Sequence, residues 1–203
     1  MRAQTIVLAL CLVAGCRQFP EVQPSNDLER QGRDIFRDDT FGNERYWTDS
    51  ARLHEVVQES IQPLEALGLG LKVDMDRLNL FKFLIHNPFS TGGTKELLRQ
   101  NAVVGVRAEV EDGQITRIGI TCALCHSTVD NALLPGIGHR VDGMPNMDLK
   151  VGKILALLAT FNEGQKAILR TWPAGMYDPR FNFDGKSTPI VLPPAHGLKD
   201  VEN

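Results

Sequence analysis

Cys122-Ala123-Leu124-Cys125-His126 is the stretch on which the reading of this chain turns, because its C-x-x-C-H spacing is that of a covalent haem attachment site. Two thiols three positions apart can each form a thioether with one porphyrin vinyl group, and the imidazole beside the second thiol can turn back to the iron. Paired cysteines also serve other chemistries. A redox dithiol is expected at the head of a helix in a βαβ setting, which this sequence lacks, and zinc needs a second Cys/His pair that is not offered. The residues therefore favour one covalent haem c, with Cys122 and Cys125 on the porphyrin and His126 on the iron.

Immediately upstream, residues 102–121 carry the clearest β signal of the chain. A three-residue loop at Asp112-Gly113-Gln114 sets Ala108 opposite Ile118, Val106 opposite Ile120 and Glu109 opposite Arg117, and so matches apolar residues across the pair. The hairpin delivers Cys122 to the haem. Downstream, Leu134-Pro135-Gly136 resembles the segment of small cytochromes c in which a proline carbonyl after the motif accepts the Nδ1 proton of the ligand imidazole, and the resemblance implies that role for Pro135; an ordinary turn is the alternative.

The rest of the chain reads mostly as helix. Asp27 to Arg37 places Leu28, Gly32, Ile35 and Phe36 on one stripe, after which 38–47 is a polar loop folded over the core. Ser50 can cap a helix running to Gln62, and Asp76 to His86 reads as a buried helix closed by Asn87-Pro88. Thr94 caps a short helix to Gln100. Asp148 caps one reaching Phe161, with Val151, Ile154, Leu155, Leu158 and Phe161 buried, and an Asn162…Gln165 pair opens another from Glu163 to Trp172. Beyond Pro173 the chain is extended and proline-rich. The expected fold is mainly α: a cytochrome c-like haem domain over 27–203 with an inserted helical segment and one β-hairpin.

Met1-Arg2 and the apolar run Ile6 to Gly15 form a charged start and a short hydrophobic region, too short for the roughly 20 residues that span a bilayer. Val13-Ala14-Gly15-Cys16 resembles the lipobox of bacterial lipoproteins. That resemblance implies a signal peptide over 1–15, acylation of Cys16, a tether over 16–26 and a periplasm-facing protein anchored to a bacterial membrane. A simple cleaved signal is the alternative. The count of four cysteines agrees: Cys11 leaves with the signal, Cys16 takes lipid and the other two take haem.

The chain has 203 residues, 42% of them hydrophobic and 23% charged, which suits one globular domain; a formal net charge of −3 argues against a nucleic-acid footprint or a basic membrane-binding surface. The second axial ligand decides between electron transfer and chemistry at the iron, since an open position admits oxygen or peroxide. Met176, in the loop Pro173-Ala174-Gly175-Met176, is the preferred candidate. Met144, Met147, His54 and His139 are the others, with His86, His196 and Met75 behind them and an open iron as the remaining possibility.

Gly32-Arg33-Asp34-Ile35-Phe36 resembles the first helix of small cytochromes c, although Cys122 follows far later than in those proteins. From Asp27 onward the chain resembles the haem domain of larger dihaem cytochromes of the bacterial peroxidase and rubber-oxygenase type. Ile35-Phe36-Arg37, Phe41-Gly42 with Trp47 and His54, Thr121 to Asp130, and Ile190 to Leu198 carry this similarity. Those enzymes hold two haem motifs, one for electron relay and one for reaction; this sequence holds one. The resemblance implies either a membrane-anchored electron carrier serving a redox partner protein or the haem half of a peroxidase- or oxygenase-like enzyme with an open distal iron. A ligand sensor without turnover is the third expectation.

Overall fold

A computed structural model describes residues 26–184 and 186–195. The signal segment 1–15, Cys16, most of the tether and His196 lie outside the described residues. The described chain is not mainly α: it is 40% helical and 17% strand, with several small sheets, so the mixed α/β architecture corrects the expected mainly-α fold. Turns and edge pairings interrupt the apolar periodicity that suggested long helices, and the helices that form are short.

Helix α1 spans Asp27–Asp38 and is capped by the Asn26 side chain on the Glu29 amide. None of its residues is buried, contrary to the expected inward stripe. Among its apolar residues Phe36 is the one packed against a buried cluster, of Val104, Ala123 and Val129. A π-helical turn, Arg45–Ser50, follows. Ser50 caps nothing: Arg52 adopts a left-handed φ of 51°, and α2 starts at Leu53 and ends at Ser60. Then come α3 (Pro63–Gly68), β1 (Val73–Asp74), α4 (Leu80–Ile85) and α5 (Thr91–Arg99). The helix expected to be buried over 76–86 is thus the six-residue α4, and it is exposed.

The hairpin pairs β2 (Val106–Glu111) with β3 (Gln114–Ile120) and keeps the three expected partnerships, Val106↔Ile120, Ala108↔Ile118 and Glu109↔Arg117. It reaches them by another route. The loop has two residues, Asp112 and Gly113, with φ of 47° and 75°, the left-handed pair that a tight hairpin turn demands. A β-bulge between Glu109 and Val110 then absorbs Thr116 and restores the register. The outer edge of β3 meets side chains instead of a third strand. Asn43 exchanges two hydrogen bonds with the Ile120 backbone (2.6 and 2.9 Å), and the buried Thr48 hydroxyl does the same with Ile118 (3.0 and 3.2 Å). The polar loop expected over the core therefore satisfies an otherwise orphaned strand edge.

After the hairpin come α6 (Ala123–His126), β4 (Ser127–Val129), β5 (Ile137–Gly138) and β6 (Arg140–Asp142), with β5 parallel to β1 and β6 antiparallel to β4. Helix α7 is Val151–Leu155 alone, and the segment before it is held by other contacts: the Lys150 amide donates to the Leu69 carbonyl and the Asp148 side chain pairs with Lys72 at 2.5 Å. Leu155, Leu158 and Phe161 are nevertheless buried as expected. Helix α8, Glu163–Leu169, carries the full Asn162/Gln165 capping box. The last elements among the described residues are β7 (Met176–Tyr177), α9 (Phe181–Asp184) and β8 (Ile190–Val191), with β7 antiparallel to β8. Leu98, Val103, Ile118, Leu149, Leu158 and Trp172 lie in one continuous core. No helix among the described residues is long and apolar enough to cross a membrane.

Candidate haem site

Helix α6 is a single turn, and Cys122 at its N-cap is itself helical. At 3.6 residues per turn, Cys125, Cys122 and His126 fall within an arc of about 100°, while Ala123 and Leu124 occupy the opposite side. Burial follows this division. Ala123 is fully buried and Leu124 enters the core, whereas Cys122 is exposed and Cys125 half-buried. The apolar pair pins the turn and leaves the two thiols and the imidazole on one face. Gly105 makes the close approach possible: its φ is 75°, and an added Cβ would fall on the Leu124 backbone. The Gly105 carbonyl accepts from Thr121 at 3.0 Å, so the hairpin's end is fixed where the motif begins.

The His126 ring is oriented from behind. Its Nδ1 lies 2.9 Å from the Pro193 carbonyl oxygen. A carbonyl only accepts, so the proton resides on Nδ1 and the Nε2 lone pair is available to a metal. Pro193 precedes Pro194, which has no N–H, and the segment is extended past the end of β8. The role assigned to Pro135 belongs to Pro193; Pro135 sits in the turn where Leu134 bridges Ile137.

Burial, then the neighbouring Cys122, pushes the Cys125 thiol up to about 11. Among the described residues no three His, Cys, Asp or Glu side chains converge as a site for a bare metal ion. A haem brings its four equatorial ligands with it and asks the chain for two thioethers and an imidazole, the donor set presented on α6. The residues present therefore fit a haem c.

The candidate axial methionines gather around this turn. The Asn146 amide donates to the Cys125 carbonyl at 2.9 Å, which sets Met144 and Met147 on a loop bonded to the motif. Met176 pairs with Val191 in the β7–β8 ribbon, and the Leu192 amide, one residue before Pro193, donates to Gly175 at 2.8 Å. Met147 packs on Gly175, whose φ of 71° leaves no room for a Cβ beside the Met147 backbone. Burial, then nearby Cys125, pushes the Tyr177 phenol up, and Tyr177 directly follows Met176. Of the histidine candidates, His139 has its Nδ1 2.8 Å from Asp76, and His54 lies on α2, which packs against α5 and β3, with its buried Nδ1 lacking a hydrogen-bond partner among the described residues.

One feature of the site had no signal in the sequence. Ser127, next to His126 and fully buried, donates to Asp142 at 2.6 Å, and Asp142 also accepts from Arg37 at 2.5 Å and Arg140 at 2.7 Å. Burial raises the Asp142 carboxyl, but Arg140, the Ser127 hydroxyl and Arg37 together outweigh it and hold the group below the usual carboxylate range. This cluster ties α1, β4 and β6 together at the residue that follows His126. Phe36, packed on Ala123, adds an apolar contact from the same helix. No family model, curated protein or solved structure matches the chain.

Proposed function

We propose that the protein is a lipid-anchored, periplasm-facing c-type cytochrome that carries single electrons to and from a redox partner protein. The observation that carries this reading is the Pro193 carbonyl on His126 Nδ1, at 2.9 Å, within a C-x-x-C-H turn whose two thiols share the imidazole's face. Bound there, a haem supplies a reversible one-electron couple at its iron.

The chain's own residues do the rest. Cys122 and Cys125 hold the macrocycle covalently, so it is retained in either oxidation state. Pro193 fixes the tautomer and ring orientation of His126 and makes its Nε2 a stronger donor. Ala123 and Leu124, buried behind the turn, exclude water from that side, which favours a small reorganisation on electron transfer. Met176 is the proposed sixth ligand. Its thioether would hold the iron against exogenous ligands and would raise the potential of a bound haem.

The test is an optical spectrum of the purified protein, oxidised and reduced, with and without carbon monoxide, and of Met176→Ala. The expected result is a low-spin haem with a sulfur-to-iron band near the red edge, indifferent to carbon monoxide until Met176 is replaced. A high-spin haem that binds carbon monoxide in the unsubstituted protein would replace this reading with that of an open-iron enzyme half.

A further inference from the structure

Helix α4 reverses the usual polarity of a surface helix. Its sequence, Leu-Phe-Lys-Phe-Leu-Ile, turns Phe83 toward the core, while Leu80, Phe81, Leu84 and Ile85 are 51%, 74%, 55% and 64% exposed; Phe89, just beyond, is 75% exposed. At helical spacing the four outward residues lie within an arc of about 140°. An apolar face of this kind on a water-facing domain marks a surface that something apolar covers.

Charge narrows the occupant. Between Arg77 and Lys95 the chain has no Asp or Glu, while Arg77, Lys82 and Lys95 are basic. Asp76, the nearest carboxylate in sequence, pairs with His139 Nδ1 at 2.8 Å, and Glu96 is buried and paired with Arg99 and Gln100. With Arg77 paired to Asp38, Lys82 and Lys95 are the cations that accompany this apolar face, a combination that matches the interfacial zone of a bilayer with anionic headgroups. Chain length allows the contact: the segment between Cys16 and the start of α1 can reach at most about 35 Å, comparable to the diameter of a domain of this size, with a radius of gyration of about 17 Å.

We propose that the α4–Phe89 projection dips into the membrane to which Cys16 tethers the protein, holding the domain in one orientation against the lipid surface. The proposal rests on the lipid-anchored reading for its context, but the projection can be tested without the anchor. Secreted Cys16→Ser protein is sedimented with vesicles of equal parts phosphatidylglycerol and phosphatidylethanolamine, alongside the same protein carrying Phe81→Ser, Phe89→Ser or both. Both phenylalanines are largely exposed, so the variants should melt with the parent.

The parent is expected to partition onto the vesicles, with binding about tenfold weaker for each phenylalanine removed. A parent that stays in the supernatant, or variants that partition equally, would overturn the proposal. A concentration-dependent dimer of the parent, abolished by the same substitutions, would assign the face to a second copy instead. The lipoprotein reading has its own readout: the chain with Cys16 intact should fractionate with membranes in cells. Its appearance in the soluble fraction would remove the anchor, whatever the vesicles show.

Discussion

Replacing Gly105 by alanine should displace the haem motif, and Gly113 supplies the control. Both glycines have a φ of 75°, so both substitutions carry the backbone cost of a left-handed alanine, about 1–2 kcal/mol. They differ in what the new methyl meets. At Gly113 nothing lies within 4 Å, whereas at Gly105 it would fall on the Leu124 backbone and come within 2.6 Å of the Leu124 Cβ. Leu124 cannot retreat easily, since its amide is bonded to Thr121 and its side chain is in the core. Overpacking of this kind costs a further 1–3 kcal/mol, approximately. Gly113→Ala should therefore lower the melting temperature by roughly 2–8 °C, and Gly105→Ala by roughly 5–20 °C, at about 2–4 °C per kcal/mol for a chain of this size. The assay is thermal unfolding followed by circular dichroism, with covalent haem per chain measured on the same samples. Haem loading should fall only for Gly105→Ala. Equal melting temperatures and equal haem content in the two variants would refute the claim that Gly105 sets the position of the motif.

Two other sites give distinct expectations. Thr48→Val preserves shape but leaves the buried Ile118 amide and carbonyl without the hydroxyl they share, and should cost about 1–3 kcal/mol in denaturant unfolding; an unchanged midpoint would mean that the β3 edge is satisfied another way. Asp142→Asn leaves the deeply buried Arg140 guanidinium without its countercharge, at a cost of about 3 kcal/mol, the low end of the range because Asp142 is itself partly exposed. Because the folded Asp142 carboxyl is held low, its stabilisation is complete above its unfolded pKa of about 3.9 and is lost as pH falls through the folded value. The parent's stability should thus fall more steeply than the variant's below about pH 4, and parallel acid limbs would contradict the assignment.

The hairpin register was legible in the sequence because matched apolar pairs on a period-two pattern admit few alternatives. The turn beneath it was not: a two-residue loop with a bulge and a three-residue loop without one give the same partners from Glu109 to Val106. The Asn162 capping box was legible for the same local reason. Leu80 to Ile85 misled, since apolar content alone does not say whether a face meets a core or another surface. The proximal partner of His126 lies 67 residues away at Pro193, so only the fold could distinguish it from Pro135. Asp142 was hidden likewise, because nothing local says that Arg37 and Ser127 will converge on it.

The central claim is that this turn holds a haem covalently, and denaturation tests it most directly. Protein isolated from the membrane fraction of cells competent in cytochrome c maturation should keep its haem through acid–acetone extraction and denaturing electrophoresis, with one haem per chain. The double variant Cys122→Ala/Cys125→Ala should lose it. Haem that extracts freely from the parent, or stays bound to the double variant, would contradict the assignment of Cys122, Cys125 and His126.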